Sequence, residues 1–203
     1  MKVSREQVAI HRRRILDAAS RLFRQKGFDA VGVDAVMKEA GMTHGGFYGH
    51  FASKEDLMAR ACAHGLALAD DSWAAAAYPV AALAAAYLDQ EHCDNPGDGC
   101  VLAALGADVS RQGKGVRHAF TAGFRERVDQ LARLMPGHSR AAQRRRAIAT
   151  WAGLVGSMVL ARAVDDPALS REIQKAGVAT FGEKPPDDRG RVRARRGRRV
   201  AAR

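Results

Sequence analysis

The chain has 203 residues, 47% of them hydrophobic, and carries 33 Lys/Arg against 22 Asp/Glu for a formal charge of +11. That length supports one or two domains with a real core, and the composition excludes a disordered chain. The longest apolar stretch, residues 74–88, is mostly alanine, is interrupted by Pro79 and falls short of the ~18–20 residues that span a bilayer, so no membrane partner is expected.

The opening segment MKVSREQVAIHRRR is basic but has no apolar stretch, which predicts no secretory signal. A helix is expected over residues 5–26, with Ile15, Leu16, Ala19, Leu22 and Phe23 on one stripe and Gly27 as its C-terminal cap. A short helix over 33–40 closes at Gly41, and a third runs from Thr43 to about His50. Gly41-Met42-Thr43 has the length and the glycine of a helix-turn-helix turn. Ser53, followed three residues later by Asp56 and then by an apolar run, reads as the N-cap of a long helix to about residue 77. Further helices are expected near 80–92, 100–110, 115–135, 139–164 and 168–181. Prolines 79, 96, 136, 167, 185 and 186 fall between these segments, as the roughly 3 kcal/mol cost of proline inside a helix requires. The tail from residue 183 has no apolar period and repels itself, which predicts disorder.

Charge divides along the chain. Residues 1–60 hold 11 basic and 7 acidic side chains, residues 61–183 hold 13 of each, and residues 184–203 hold 9 and 2. A neutral body between two positive ends fits a polyanion-binding head.

The block ILDAASRLFRQKGFDAVGVDAVMKEAGMTHGGFYGHFASKEDLMARA, residues 15–61, resembles the DNA-binding head of TetR-family regulators. The matching features are Arg21-Leu22-Phe23, Gly27-Phe28, Ala40-Gly41, Phe47-Tyr48, His50-Phe51 and Ser53-Lys54-Glu55-Asp56-Leu57, in order. The resemblance implies an all-α protein: a three-helix head over 1–52, a helical ligand-binding and dimerisation body over 53–182, and a basic tail over 183–203. It also implies that Thr43, His44, Gly45 and Gly46 read bases in a major groove about 12 Å wide, while Tyr48, His50 and Lys54 hold the DNA backbone. Phe47 and Phe51 should face the core. The family's usual hydroxyl cap of the second helix is replaced by Val31-Gly32, at a cost of about 1 kcal/mol, and His44 stands where Lys or Arg is common. Gly46 and Gly49 replace larger residues, so the list of direct base contacts should be short.

In the body, residues 139–164 are apolar nearly all round, with Ala147, Ile148, Trp151, Leu154, Val155, Met158 and Val159 beside small residues at 152, 153, 156 and 157. Paired with the helix over 168–181, this segment would form half of a four-helix homodimer interface. Gly99-Cys100, followed by an apolar helix and Asp108, resembles a pattern in a TetR subgroup, some members of which sense electrophiles or oxidants through this cysteine. At a helix N-terminus the dipole would favour a Cys100 thiolate. An inert capping cysteine is the plainer reading. The three cysteines, 62, 93 and 100, form no CxxC pair and suit a reducing cytoplasm. His92-Cys93-Asp94 lacks the paired spacing of a metal site, and no metal or other cofactor is expected. No P-loop, GxGxxG, HExxH or GxSxG is present, so an enzyme is not expected. The expected function is a cytoplasmic TetR-type repressor. Its partners are double-stranded operator DNA, a second copy of the chain and an unidentified small-molecule effector. The alternatives are an architectural DNA-binding protein, which would not need 120 neutral residues, and a regulator acting as an activator.

Overall fold

The computed structural model describes residues 4–74 and 80–182, and in these the chain is a bundle of helices. Ser4 caps α1 (Arg5–Lys26) by accepting the Gln7 N–H at 3.1 Å. Gly27 ends it with φ 79° and ψ 166°, a conformation essentially reserved for glycine, while its N–H bonds to the Phe23 carbonyl at 2.8 Å. α2 (Val33–Glu39) starts at Gly32 without a side-chain cap, as the loss of the hydroxyl there leads one to expect. Gly41, at φ 72°, turns the chain.

The segment after this turn differs from expectation. Residues His44–Gly49 form a 3-10 helix rather than an α-helix. Glycine is the poorest helix former after proline, and three of these six residues are glycine, so the tighter and shorter form prevails. Ser53 then caps α3 (Lys54–Ala74), taking the Asp56 N–H at 3.1 Å.

The expected single helix over 80–92 is two: α4 (Val80–Tyr87) and α5 (Gln90–Asp94). Asp89 between them is extended, and its carboxylate accepts the His92 N–H at 2.7 Å, so a side-chain cap displaces helix continuation. The remaining helices are α6 (Val101–Val109), α7 (Lys114–Leu134), α8 (Arg140–Ala163) and α9 (Pro167–Gly182). The tail 183–203 lies outside the described residues, as does the expected last turn of the long helix to residue 77.

α3 is the spine. It packs on both α1 and α7, while α8 packs on α7 and α9. Ile15, Phe23, Phe28, Val36, Phe47 and Phe51 meet Leu57 and Ala61 in one buried set that continues through Leu105 and Val116 to Leu154 and Met158. Burying a leucine- or phenylalanine-sized side chain stabilises by roughly 1.5–3 kcal/mol, so this continuous core ties the N-terminal helices to the rest. Polar contacts add to it. The Asp108 carboxylate of α6 accepts the Phe28 N–H at 3.3 Å, Arg24 donates to the Gly97 carbonyl at 2.7 Å, and His64 of α3 lies 2.6 Å from Asp17 of α1. In the body, the buried Arg127 donates to the Leu66 carbonyl at 2.7 Å, and the Trp151 indole N–H donates to the Arg127 carbonyl at 3.2 Å. Among the described residues, no helix is long and apolar enough to cross a membrane.

Candidate nucleic-acid interface

The turn between α2 and the 3-10 helix is closed by backbone bonds from Ala40 to Val36 (3.0 Å), Gly41 to Lys38 (3.1 Å) and Met42 to Met37 (2.8 Å). These fix the angle at which the 3-10 helix leaves the head. Its inner side carries Phe47, buried and stacked on Phe51 with ring centroids 5.7 Å apart. Both phenylalanines therefore face the core as expected. On the outer side, Thr43, His44, Gly45, Gly46, Tyr48 and Gly49 are all exposed, and Tyr48 stands 70% exposed. A large aromatic left that far in water makes little contact with the rest of the chain.

The surroundings of the glycines in this segment leave room for a side chain. Gly45 and Gly49 are not among the positive-φ glycines, and a Cβ on either would meet nothing within 4 Å. A Cβ on Gly46 would make ordinary contact with Met37 at 3.6 Å. What glycine gives here is a flat outer backbone that another molecule can approach closely.

His44 turns its Nδ1 onto the Asp34 carboxylate of α2, and its ring meets Tyr48 edge-on at 6.2 Å. His50 sits differently from the other predicted contacts. Its ring lies half-buried, 6.2 Å from His11 and 6.4 Å from Phe51, and its Nδ1 is buried without a hydrogen-bond partner. Burial first, then the neighbouring His11 and Arg12, lower its pKa, so the neutral ring is favoured. Lys54 is half-buried at the start of α3. Sequence reasoning missed Arg12, which donates to the His50 carbonyl at 3.0 Å and lies over the Phe51 ring at 5.0 Å, fastening α1 to the end of the 3-10 helix. It also missed Asp34. No local spacing links Asp34 to His44, because the fold brings them together.

The structure places Cys100 away from this face, as the N-cap of α6, buried, in the wall of a cavity of about 750 Å³ that Arg24, Leu68, Tyr87, His92 and Arg127 also line. Its sulfur accepts the Leu102 N–H at 3.4 Å, and the buried Tyr87 lines the same cavity. His92 joins the two ends of this corner: its Nδ1–H donates to the Tyr87 carbonyl at 2.5 Å, and its Nε2 accepts the Cys100 N–H at 2.9 Å. Both ring nitrogens are therefore committed to the backbone, and burial lowers the His92 pKa. Among the described residues, no three His, Cys, Asp or Glu side chains converge on a metal-sized site. Cys62 packs inside α3, and burial pushes its thiol up to about 12, which leaves it unreactive.

Comparison with known proteins agrees with this reading of the head. Residues 15–61 match the family model described as bacterial regulatory proteins, tetR family. Over 49 residues, 24% of this chain, the sequence is 45% identical to an uncharacterised HTH-type transcriptional regulator, YerO of Bacillus subtilis; the match spans 17% of that relative's length. The fold extends further than the sequence likeness. The reduced form of E. coli NemR superposes with a TM-score of 0.69 at 21% identity, covering 87% of this chain and 99% of that one. AibR, solved with isovaleryl coenzyme A and operator DNA, superposes with a TM-score of 0.59 at 17% identity over 87% of this chain and all of that one. Residues 15–61 are thus similar to the DNA-binding head of the tetR family of bacterial regulatory proteins, and the described residues as a whole share the fold of NemR and AibR.

Proposed function

We propose that the protein is a homodimeric transcriptional repressor with a reading head over residues 1–52 and a sensing and dimerisation body over 53–182. The observation that carries this is the outer face of the 3-10 helix. Glycines at which the chain leaves room for a side chain lie beside an exposed Tyr48, with Thr43 and His44 also exposed. Thr43, His44, Gly45 and Gly46 meet base edges, and Tyr48, Lys54 and the end of the segment at His50 meet the phosphate backbone. Most protein–DNA hydrogen bonds go to the backbone and set register, while few read sequence. Dimerisation supplies two heads for two half-sites about 34–36 Å apart. Ile148, Val159 and Leu160 of α8 and Leu169 of α9, all more than 40% exposed, support α8 and α9 as the dimer face. Tyr48→Phe and Lys54→Ala should each weaken operator binding by roughly 1–2 kcal/mol with sequence preference kept. Equal affinities for parent and both variants would refute this docking.

Release follows from the body. A molecule of modest size entering the cavity at Cys100, or a group added to that thiol, would displace α6 and the head bonded to it. That AibR was solved with both an acyl-coenzyme A and operator DNA supports pairing a body cavity with a reading head in this fold. Operator release by electrophiles, oxidants and small apolar ligands, measured on parent and Cys100→Ser protein, separates the two modes. Release by electrophiles that is lost in Cys100→Ser supports a thiol sensor, and release that persists there leaves a non-covalent ligand.

A further inference from the structure

The His44–Asp34 pair lies on the proposed reading face and is largely in water, with the side chains 51% and 83% exposed. A solvated surface contact of this kind contributes little to stability, about 0–1 kcal/mol, so folding alone gives little reason for it. Its geometry has a chemical consequence. A carboxylate oxygen carries no proton at neutral pH, so the Nδ1 that faces Asp34 must be the protonated ring nitrogen. In the neutral ring Nε2 is then fixed as an acceptor, on the opposite edge of the imidazole.

We infer that Asp34 is a specificity-positioning residue. By holding the Nδ1–H of His44, it presents Nε2 as an acceptor toward the amino group of one adenine or cytosine in the major groove. This rests on the DNA-reading role proposed above. Major-groove edges differ in donor and acceptor pattern, so a fixed acceptor distinguishes a base pair from its reverse, whereas an imidazole free to exchange tautomers does so poorly. The carboxylate also places a negative charge beside the phosphates. Asp34 therefore lowers affinity for all DNA while sharpening the choice among sequences, which a negative charge placed for packing would not do.

The test uses the full-length protein and a random-sequence duplex library to select a preferred duplex. Each base pair of that duplex is then exchanged in turn, and binding is read by fluorescence anisotropy at fixed salt. For the parent, one base pair per half-site should depend on His44, with discrimination of roughly ten-fold. Asp34→Ala should lose that discrimination at the same base pair and no other, while binding unselected duplex roughly two- to three-fold more tightly because one repulsive charge is gone. Asp34→Asn keeps an acceptor oxygen for Nδ1–H, so it should retain the discrimination and still bind unselected duplex more tightly. His44→Ala should lose the same base pair, and the double variant with Asp34→Ala should lose no more. A merely structural Asp34 would lower binding to every duplex. Discrimination kept intact in Asp34→Ala, or weaker binding to all duplexes, overturns the inference alone. A parent protein that selects no duplex overturns the DNA-reading role beneath it.

Discussion

Gly45→Ala separates the needs of the fold from those of the proposed DNA contact. In the structure the added methyl meets nothing within 4 Å, and Gly45 is not among the positive-φ glycines. Glycine replaced by alanine at such a site stabilises by about 0.4–1 kcal/mol, because the unfolded chain loses freedom. For a chain of this size that raises Tm by roughly 1–4 °C. The DNA side responds in the opposite direction. The methyl stands about 1.5 Å from Cα and needs about 3.5–4.0 Å from any carbon it faces, so a backbone seated against DNA must withdraw by more than about 1 Å. Hydrogen bonds near 2.9 Å then stretch toward the limit of about 3.5 Å. Losing one such base contact costs about 1–3 kcal/mol, which is roughly a 5- to 150-fold loss of operator affinity. Thermal unfolding by circular dichroism at one protein concentration, together with operator titration, reads both quantities. A fall in Tm would show that the chain itself needs the glycine. A raised Tm with unchanged operator affinity would show that the open backbone is not where DNA sits.

Three further outcomes are expected. Gly27→Ala should lower stability by about 3 kcal/mol or more in urea unfolding, because φ 79° strains a side chain and its Cβ would stand 2.6 Å from the Asp108 carboxylate that holds the Phe28 N–H; Asp108→Ala should cost less. Sedimentation at micromolar concentration should give about twice 21.9 kDa, and Leu160→Glu, at a position 57% exposed in one chain, should give the monomer. His50 and His92 both have pKa values lowered from 6.5 by burial, so below about pH 6.5 the unfolded chain binds more protons than the folded one. Stability should therefore be full above that pH and fall as pH drops through it; His92→Gln, which keeps a donor and an acceptor but does not titrate, should flatten the loss, and an unchanged profile would refute the role of His92.

What could be read from the sequence was local chemistry. Gly27 and Gly41 mark chain reversals because few other residues take a positive φ, and Ser53 with Asp56 marks a helix start because a hydroxyl beside free N–H groups has one good use. The inward turn of Phe47 and Phe51 followed from the head's motif. Local reasoning failed where two local preferences compete. Asp89 interrupts an alanine-rich helix by capping the next one, and three glycines convert a short α-helix into a 3-10 turn. It failed again where contacts span the chain, since Asp34 reaches His44 and Asp108 reaches Phe28 only through the folded bundle. The setting of Cys100 was half legible. Its place at a helix start followed from Gly99, but its tie to His92 and Tyr87 depends on the break at Asp89.

α6 is nine residues long, about 13 Å of rigid helix. One end is Cys100, in the cavity wall; near the other, Asp108 holds the amide of Phe28 in the head. Two sites joined by one stiff body obey reciprocity: whatever free energy a cavity ligand withdraws from DNA binding, DNA withdraws from ligand binding in equal measure. If a cavity ligand releases DNA as proposed, the DNA-bound protein should therefore bind that ligand more weakly than the free protein does, by the same factor as the loss of DNA affinity. Titrating the ligand with and without the DNA duplex would measure that coupling.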